Sequence, residues 1–317
     1  MQCNAPGPLF CGQAWKVFAI LGAMNACTAI LPVLCALASV GLAADTACSS
    51  APSRDLVLVH GFMNKHPWSD AFLATCVAQW GTGKVFLVFT GTETNVWRRM
   101  LTNGAYVTCC GFDTHSKGTE PVEQQAAHMS RSIGILETNA GLRAPFCVIA
   151  HSMGGLVSRC YTWQHSNTVA GLVTLGTPHQ GSPLANDFKW AGFFLNATGG
   201  IRNLTTEFAA SFTTNYPVAG MPFAEGGKLW TIRAGAGGMG SFGWGGELFS
   251  GWYILKYIHH TENDGLVPWD NAVIAGASNI ADYVEYDHFD IVRQPEVARK
   301  AGDCLRGSAP DYLPADM

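Results

Sequence analysis

The stretch that most constrains this chain is Ala150-His151-Ser152-Met153-Gly154. It follows the apolar run Phe146-Cys147-Val148-Ile149 and precedes a helix-like stretch that begins near Gly155. A serine between two small residues, set where a strand turns into a helix, is the pattern of a strained elbow that lifts the hydroxyl above the end of the strand. Ala150 and Gly154 fill the two small places. Five letters of this kind recur by chance in many proteins, so the strand before and the helix after give the pattern its weight.

The rest of the chain alternates in the same way. Asp55 to Val59 is an apolar run of buried-strand length that ends at His60-Gly61-Phe62. Ser69 caps an expected helix from Asp70 to about Trp80, which Gly81 stops. Lys84 to Phe89 reads as a strand, and Pro121 opens a long helix to about Glu137 with Gly141 beyond its end. After the serine turn come a helix and a strand from Val169 to Leu175; Leu229 to Arg233 resumes the sheet, and Trp252 to Ile258 and Ala281 to Tyr286 read as further strands. Strands alternating with helices predict an α/β fold, a mostly parallel sheet with helices on both faces. Between 183 and 227 the alternation stops. The apolar segments there, Phe188 to Leu195 and the helically spaced Leu204, Phe208 and Phe212, read equally as a lid over a site and as helices packed on the core. Gly235 to Gly251 holds eight glycines with Phe242, Trp244 and Phe249, a loop that either contacts substrate or connects elements at the surface.

Residues 1–44 read as a signal peptide. Lys16 is the only charge before Asp45, and the apolar run from Val17 to Val40 leads into Gly41-Leu42-Ala43-Ala44, a small-residue cleavage region. The run is also long enough for a retained membrane anchor, but Pro32 in its middle and the small residues after it favour cleavage. The mature chain, 45–317, is then expected to be secreted, with no membrane span, as a single catalytic domain. Without Lys16, 18 Lys and Arg face 23 Asp and Glu, a net charge of −5 with no basic runs, which argues against nucleic acid as a partner. Seven of the eleven cysteines remain in the mature chain. Export permits disulfides, the odd number leaves at least one thiol out of any intramolecular pairing, and the spacing resembles no zinc site.

A serine hydroxyl becomes a nucleophile through a histidine base that a carboxylate holds. On a strand-elbow-helix serine the partners follow in the order serine, acid, histidine. His60 precedes the serine and His151 adjoins it, so neither fits as base; His288, after the last expected strand, does. Asp264, in the turn Glu262-Asn263-Asp264-Gly265, is the candidate acid, with Asp270 as runner-up, while Asp287 and Asp290 flank the histidine too closely. His259, His260, Glu262 and Asp264 match no familiar metal-ligand spacing. The charge that develops on the substrate carbonyl needs backbone N–H donors. The N–H of Met153, next after the serine, and that of Phe62, in the loop after the first strand, are the candidates for this oxyanion hole.

Five segments in order, Val57 to Phe62, Ile149 to Gly155, Leu175 to Ser182, Asn263 to Val267 and Asp287 to Asp290, resemble the signature segments of secreted bacterial triacylglycerol lipases of the α/β-hydrolase fold. The resemblance spans about residues 56 to 295. It implies Ser152 as nucleophile, Asp264 as acid, His288 as base, Phe62 and Met153 as oxyanion donors, and a mobile helical lid at 183–227. It also implies hydrophobic esters as substrates at a lipid or polymer surface, with no cofactor for the chemistry. Ala150 stands where many such lipases have glycine, a variant also similar to some polyhydroxyalkanoate depolymerases, which keeps a polyester substrate open. Those lipases often hold a structural calcium after the catalytic histidine. Asp290 and Gln294 would supply two of its ligands, and no counterpart of the upstream aspartate is evident. The disulfide that often braces their acid loop has no cysteine here.

Overall fold

A computed structural model describes residues 54–64, 68–114, 118–188, 197–237 and 246–307. The expected signal peptide, 1–44, lies outside them, as do 189–196 of the expected lid and 238–245 of the glycine-rich loop. Eight strands form one sheet in the order β3-β4-β2-β1-β5-β6-β7-β8. They are β1 (Leu56–Val59), β2 (Val85–Val88), β3 (Val96–Met100), β4 (Tyr106–Cys110), β5 (Phe146–His151), β6 (Val169–Leu175), β7 (Leu229–Ala234) and β8 (Ser278–Tyr283). All neighbouring pairs are parallel except β3 with β4.

β1, β2, β5 and β6 are buried along their whole length. Helices cover both faces of a parallel sheet, so these strands carry near-continuous apolar runs rather than alternating ones. On one face Leu56 and Leu58 pack with Phe72 and Leu73 of α1 (Asp70–Trp80) and with Val297, Ala298 and Ala301 of the last helix, Pro295–Leu305. On the other, Val57 and Val59 pack with Met129, Ile133 and Leu136 of α2 (Val122–Ala140) and with Leu156 and Val157 of α3 (Met153–Gln164). Each such side chain taken from water contributes roughly 1.5–3 kcal/mol. Local signals set the helix ends: the Ser69 hydroxyl accepts the Phe72 N–H at 3.1 Å, and Gly141 closes α2 in the left-handed conformation, φ 73°.

After β6 the chain leaves the sheet for α4 (Pro183–Phe188), α5 (Thr198–Arg202) and α6 (Thr206–Asn215). After β7 it makes a second excursion, α7 (Gly246–Tyr253), which runs into a π-helical turn, Ile254–Ile258. The expected strand from Trp252 to Ile258 is therefore helical. A seven-residue apolar run has the length of a buried strand, and periodicity does not separate the two when the run is so short. α8 (Pro295–Leu305) ends the described chain. Among the described residues Cys76, Cys109, Cys110, Cys147 and Cys160 are buried thiols, and burial pushes the Cys147 thiol up to about 11. They act as small core hydrophobes. Among the described residues no helix is long and apolar enough to cross a membrane.

Candidate active site

Ser152 sits between β5 and α3 with φ 52° and ψ −130°, a conformation that costs a non-glycine residue free energy and that the surrounding contacts hold in place. Its N–H donates to the Leu175 carbonyl at 2.9 Å, and its own carbonyl accepts the Thr177 hydroxyl at 2.7 Å. The turn is tight enough that a Cβ on Gly154 would lie 2.4 Å from the His60 carbonyl oxygen. Only glycine fits there. Ala150 is fully buried on the sheet face that packs on α2 and α3.

The structure brings the three residues singled out for nucleophilic chemistry together. Ser152 Oγ lies 2.8 Å from His288 Nε2, and His288 Nδ1 lies 2.7 Å from Asp264 Oδ2. A carboxylate only accepts, so Nδ1 carries the proton and Nε2 is free to take one from the serine. The remaining oxygen of Asp264, Oδ1, accepts the N–H groups of Leu266 at 3.0 Å and Val267 at 2.7 Å. The His288 N–H donates to the Asp264 carbonyl at 2.8 Å, so backbone as well as side chain joins the two loops. All three residues are buried. Asp270, the runner-up acid, is largely exposed beside Arg233. Asp287 turns its Oδ1 to the N–H groups of Phe289 and Asp290, both at 2.8 Å, and so shapes the histidine loop without touching the ring.

Three arrangements escaped the sequence. The first is His151, set aside above as the base: its Nε2–H donates to the His288 carbonyl at 2.8 Å, and the two rings lie 4.8 Å apart between centroids. The second is the fully buried Arg159 of α3, whose Nη1 donates to His179 Nδ1 at 3.2 Å and whose Nη2 donates to the Tyr216 carbonyl at 2.5 Å. The third is the buried set His60, Thr90 and Gln125, joined by hydrogen bonds of 3.1 and 2.9 Å. None has a sequence pattern, because each joins residues from separate elements.

Gly61 packs against the nucleophile: a Cβ there would stand 2.7 Å from Ser152 Cβ. That places the Gly61–Phe62 peptide close to the serine, which Met153 follows at the start of α3. The serine and histidine open onto a cavity of about 390 Å³ lined by Phe62, Leu184, Ile201, Leu204, Leu248 and Ile254, among others. Its walls are largely apolar.

Asp290 and Gln294, the two calcium ligands that the resemblance implies, stand at the turn Asp290–Val292 and at the N-terminal cap of the last described helix. Among the described residues no three His, Cys, Asp or Glu side chains converge. The Gln294 carbonyl accepts the Ala298 N–H at 3.3 Å in the first turn of α8, and burial pushes the Asp290 carboxyl above the ordinary carboxylate range. His259 pairs with Asp187 at 2.8 Å, away from the triad carboxylate.

The sheet order, the elbow and the late acid and histidine define the α/β-hydrolase fold. A family profile described as a PGAP1-like alpha/beta domain matches residues 122–215, from the start of α2 to the end of α6. A lipase of Bacillus licheniformis in its propeptide form is 24% identical with a TM-score of 0.59, over 84% of this chain and 53% of that one; the chain thus spans about half of it. The mature form of that lipase is 22% identical with a TM-score of 0.56, over 81% of this chain and 93% of that one. The Staphylococcus hyicus lipase is 13% identical with a TM-score of 0.51, over 81% and 96%. The likeness at these identities is one of fold, and it agrees with the lipase resemblance of the sequence segments. No curated protein matches the chain in sequence.

Proposed function

We propose that this chain is a serine carboxylic-ester hydrolase that cleaves esters of hydrophobic acyl groups through an acyl-enzyme on Ser152. One observation carries the reading: the unbroken hydrogen-bonded chain from Ser152 Oγ through His288 to Asp264, at 2.8 and 2.7 Å, opening onto an apolar cavity of about 390 Å³. Ser152 gives its proton to His288 Nε2 as Oγ attacks the ester carbonyl. The N–H groups of Met153 and Phe62 meet the oxyanion, and His288 returns the proton to the leaving alcohol. Water then repeats the sequence on the acyl-enzyme, with His288 again as base. Asp264 keeps the imidazole in the productive tautomer and steadies its charged form. The apolar walls favour lipid or polymer-borne esters, and the leader-like sequence of residues 1–44 supports an extracellular location. Leu184, Ile201 and Leu204, from the excursion after β6, line the cavity, which supports a cap role for that excursion.

The test is a panel running from short soluble esters through emulsified triglycerides to a solid polyester suspension, with the wild-type chain and Ser152→Ala side by side. Wild-type turnover, a loss of at least about 10⁴-fold in Ser152→Ala with an unchanged circular-dichroism spectrum, and stoichiometric labelling of the wild type by a serine-directed phosphonate are expected. An active Ser152→Ala protein, or a wild type inert on the whole panel, sinks the assignment. The panel also tells triglyceride from polyester preference.

A further inference from the structure

A buried polar network lies directly behind the proposed oxyanion hole, built from His60 at the end of β1, Thr90 just beyond β2 and Gln125 on α2, each at most 4% exposed. The Thr90 N–H donates to His60 Nε2 at 3.1 Å, so that nitrogen is without a proton and Nδ1 holds it. His60 Nδ1–H then donates to the Gly61 carbonyl at 2.7 Å. The Thr90 hydroxyl, 3.2 Å from the same Nε2, directs its proton to Gln125 Oε1 at 2.9 Å. The Gln125 amide in turn donates to the Glu120 carbonyl at 2.6 Å and meets Met153 Sδ at 3.6 Å.

The carbonyl that His60 holds belongs to the same peptide unit as the Phe62 N–H. In a planar trans peptide the C=O and the N–H point in opposite directions. Holding the Gly61 oxygen on the imidazole side therefore aims the Phe62 N–H the other way, and Gly61 itself packs on Ser152. Gly118 covers the carbonyl: a Cβ there would stand 2.7 Å from the Gly61 oxygen. The next residue, Met63, has φ 57°, so the chain turns abruptly after the peptide.

We propose that His60 is a positioning residue for the oxyanion hole, fixing the Gly61–Phe62 peptide so that its N–H faces the developing oxyanion. Thr90 and Gln125 set its tautomer and tie the same network to Met153, the second donor. This rests on the serine-hydrolase reading above. An unanchored Gly61–Phe62 peptide rotates, and the N–H aligns only part of the time. The substrate still binds, because the apolar cavity is untouched, but the tetrahedral intermediate loses a preorganised donor.

The experiment compares wild type, His60→Phe, His60→Asn and Thr90→Val on a soluble ester and on its thionoester, whose sulfur is a poor hydrogen-bond acceptor and gains little from oxyanion donors. In His60→Phe kcat on the ester is expected to fall about 10- to 100-fold with KM within about threefold, and the preference for ester over thionoester is expected to shrink by a similar factor. His60→Asn, whose amide nitrogen stands near the place of Nδ1, recovers about tenfold of that loss. Thr90→Val, which leaves the histidine and the catalytic residues in place, shrinks the ratio more mildly, about threefold, and carries the test should His60→Phe fail to fold. Equal losses on ester and thionoester, or a wild-type kcat in His60→Phe, overturn the proposal while leaving the hydrolase reading standing. A wild-type chain that cleaves neither compound removes that reading and the proposal with it.

Discussion

Asp264 has no spare capacity. One carboxylate oxygen takes the His288 Nδ1–H and the other takes two backbone N–H groups, with the whole residue 1% exposed. An amide in its place has one acceptor and one donor end, so one set of partners must be opposed. If the amide oxygen faces Leu266 and Val267, the NH₂ faces Nδ1 and drives the proton to Nε2, where the imidazole no longer accepts from Ser152. If it is flipped, two N–H groups meet an NH₂. Asp264→Asn is expected to lower kcat about 10⁴-fold near neutral pH while KM changes little, measured on a soluble ester. Ser152 and Asp264 stood out in the sequence because each lies at a turn with a glycine close by, Gly154 and Gly265, and His288 because it follows the last expected strand in the order serine, acid, histidine. His60 was excluded as the base by the order of the chain and His151 because it adjoins the serine, and it is His288 that meets Ser152 Oγ. What order alone does not convey is that both donate hydrogen bonds to backbone carbonyls of site residues, Gly61 and His288, contacts that exist only once β1, β5 and the histidine loop are side by side.

Among the elements, α3 is held by a second device. Arg159 joins it to the loop after β6 through His179 and to the end of α6 through Tyr216, with the guanidinium 5.1 Å from the Phe212 ring. Because the guanidinium donates to Nδ1, His179 bears its proton on Nε2, 3.0 Å from the Thr174 hydroxyl, and is neutral. Burial first and the Arg159 charge second push its pKa well below the ordinary 6.5. The unfolded chain therefore takes up a proton near pH 6.5 that the folded chain refuses. Stability is whole above that pH and is lost as the pH falls below it, at up to about 1.4 kcal/mol per pH unit until the folded pKa is reached. His179→Gln is expected to be about 1 kcal/mol less stable near pH 7, through its lost hydrogen bonds, yet to lose less than the wild type between pH 6.5 and about pH 5 in urea titrations. Parallel slopes for the two proteins would show that His179 does not carry the acid sensitivity. The inner strands were readable because burial on both faces makes them uniformly apolar. β3 was not, since it is an edge strand with exposed positions and carries Arg98 and Arg99, and β4 went unread with it. The helix through Trp252 to Ile258 was misread because it is apolar along its length, with Trp252 and Leu255 buried while Tyr253, Tyr257 and Ile258 are exposed.

At the scale of the molecule, the loops at the strand ends position Ser152, Asp264 and His288, and two excursions from the sheet line much of the cavity. Leu184 and Ala185 of α4, Ile201 of α5 and Leu204 come from the excursion after β6; Leu248, Gly251 and Ile254 come from the one after β7. The two are fastened to each other by the Asp187–His259 pair at 2.8 Å, and the Ser182 hydroxyl donates to the Leu266 carbonyl of the acid loop at 2.6 Å. Acyl-chain preference is thereby separated from the chemistry: a change in an excursion wall alters which chain fits and leaves the hydrogen bonds of Ser152, His288 and Asp264 alone. Ala185 is the sharpest place to ask, because it is a small side chain on a helix that lines the cavity and hydrogen-bonds to none of the three. In Ala185→Phe the ring fills volume that a long acyl chain needs and a two-carbon chain does not. Displacing even one or two methylenes from an apolar pocket is worth about 1–3 kcal/mol, or roughly 10- to 200-fold. Across nitrophenyl acetate, butyrate, octanoate and palmitate, kcat/KM is expected to stay within about twofold at the acetate end and to fall at least about tenfold at the palmitate end. A uniform loss along the series would mean that Ala185 supports the fold of the cap and does not bound the acyl site.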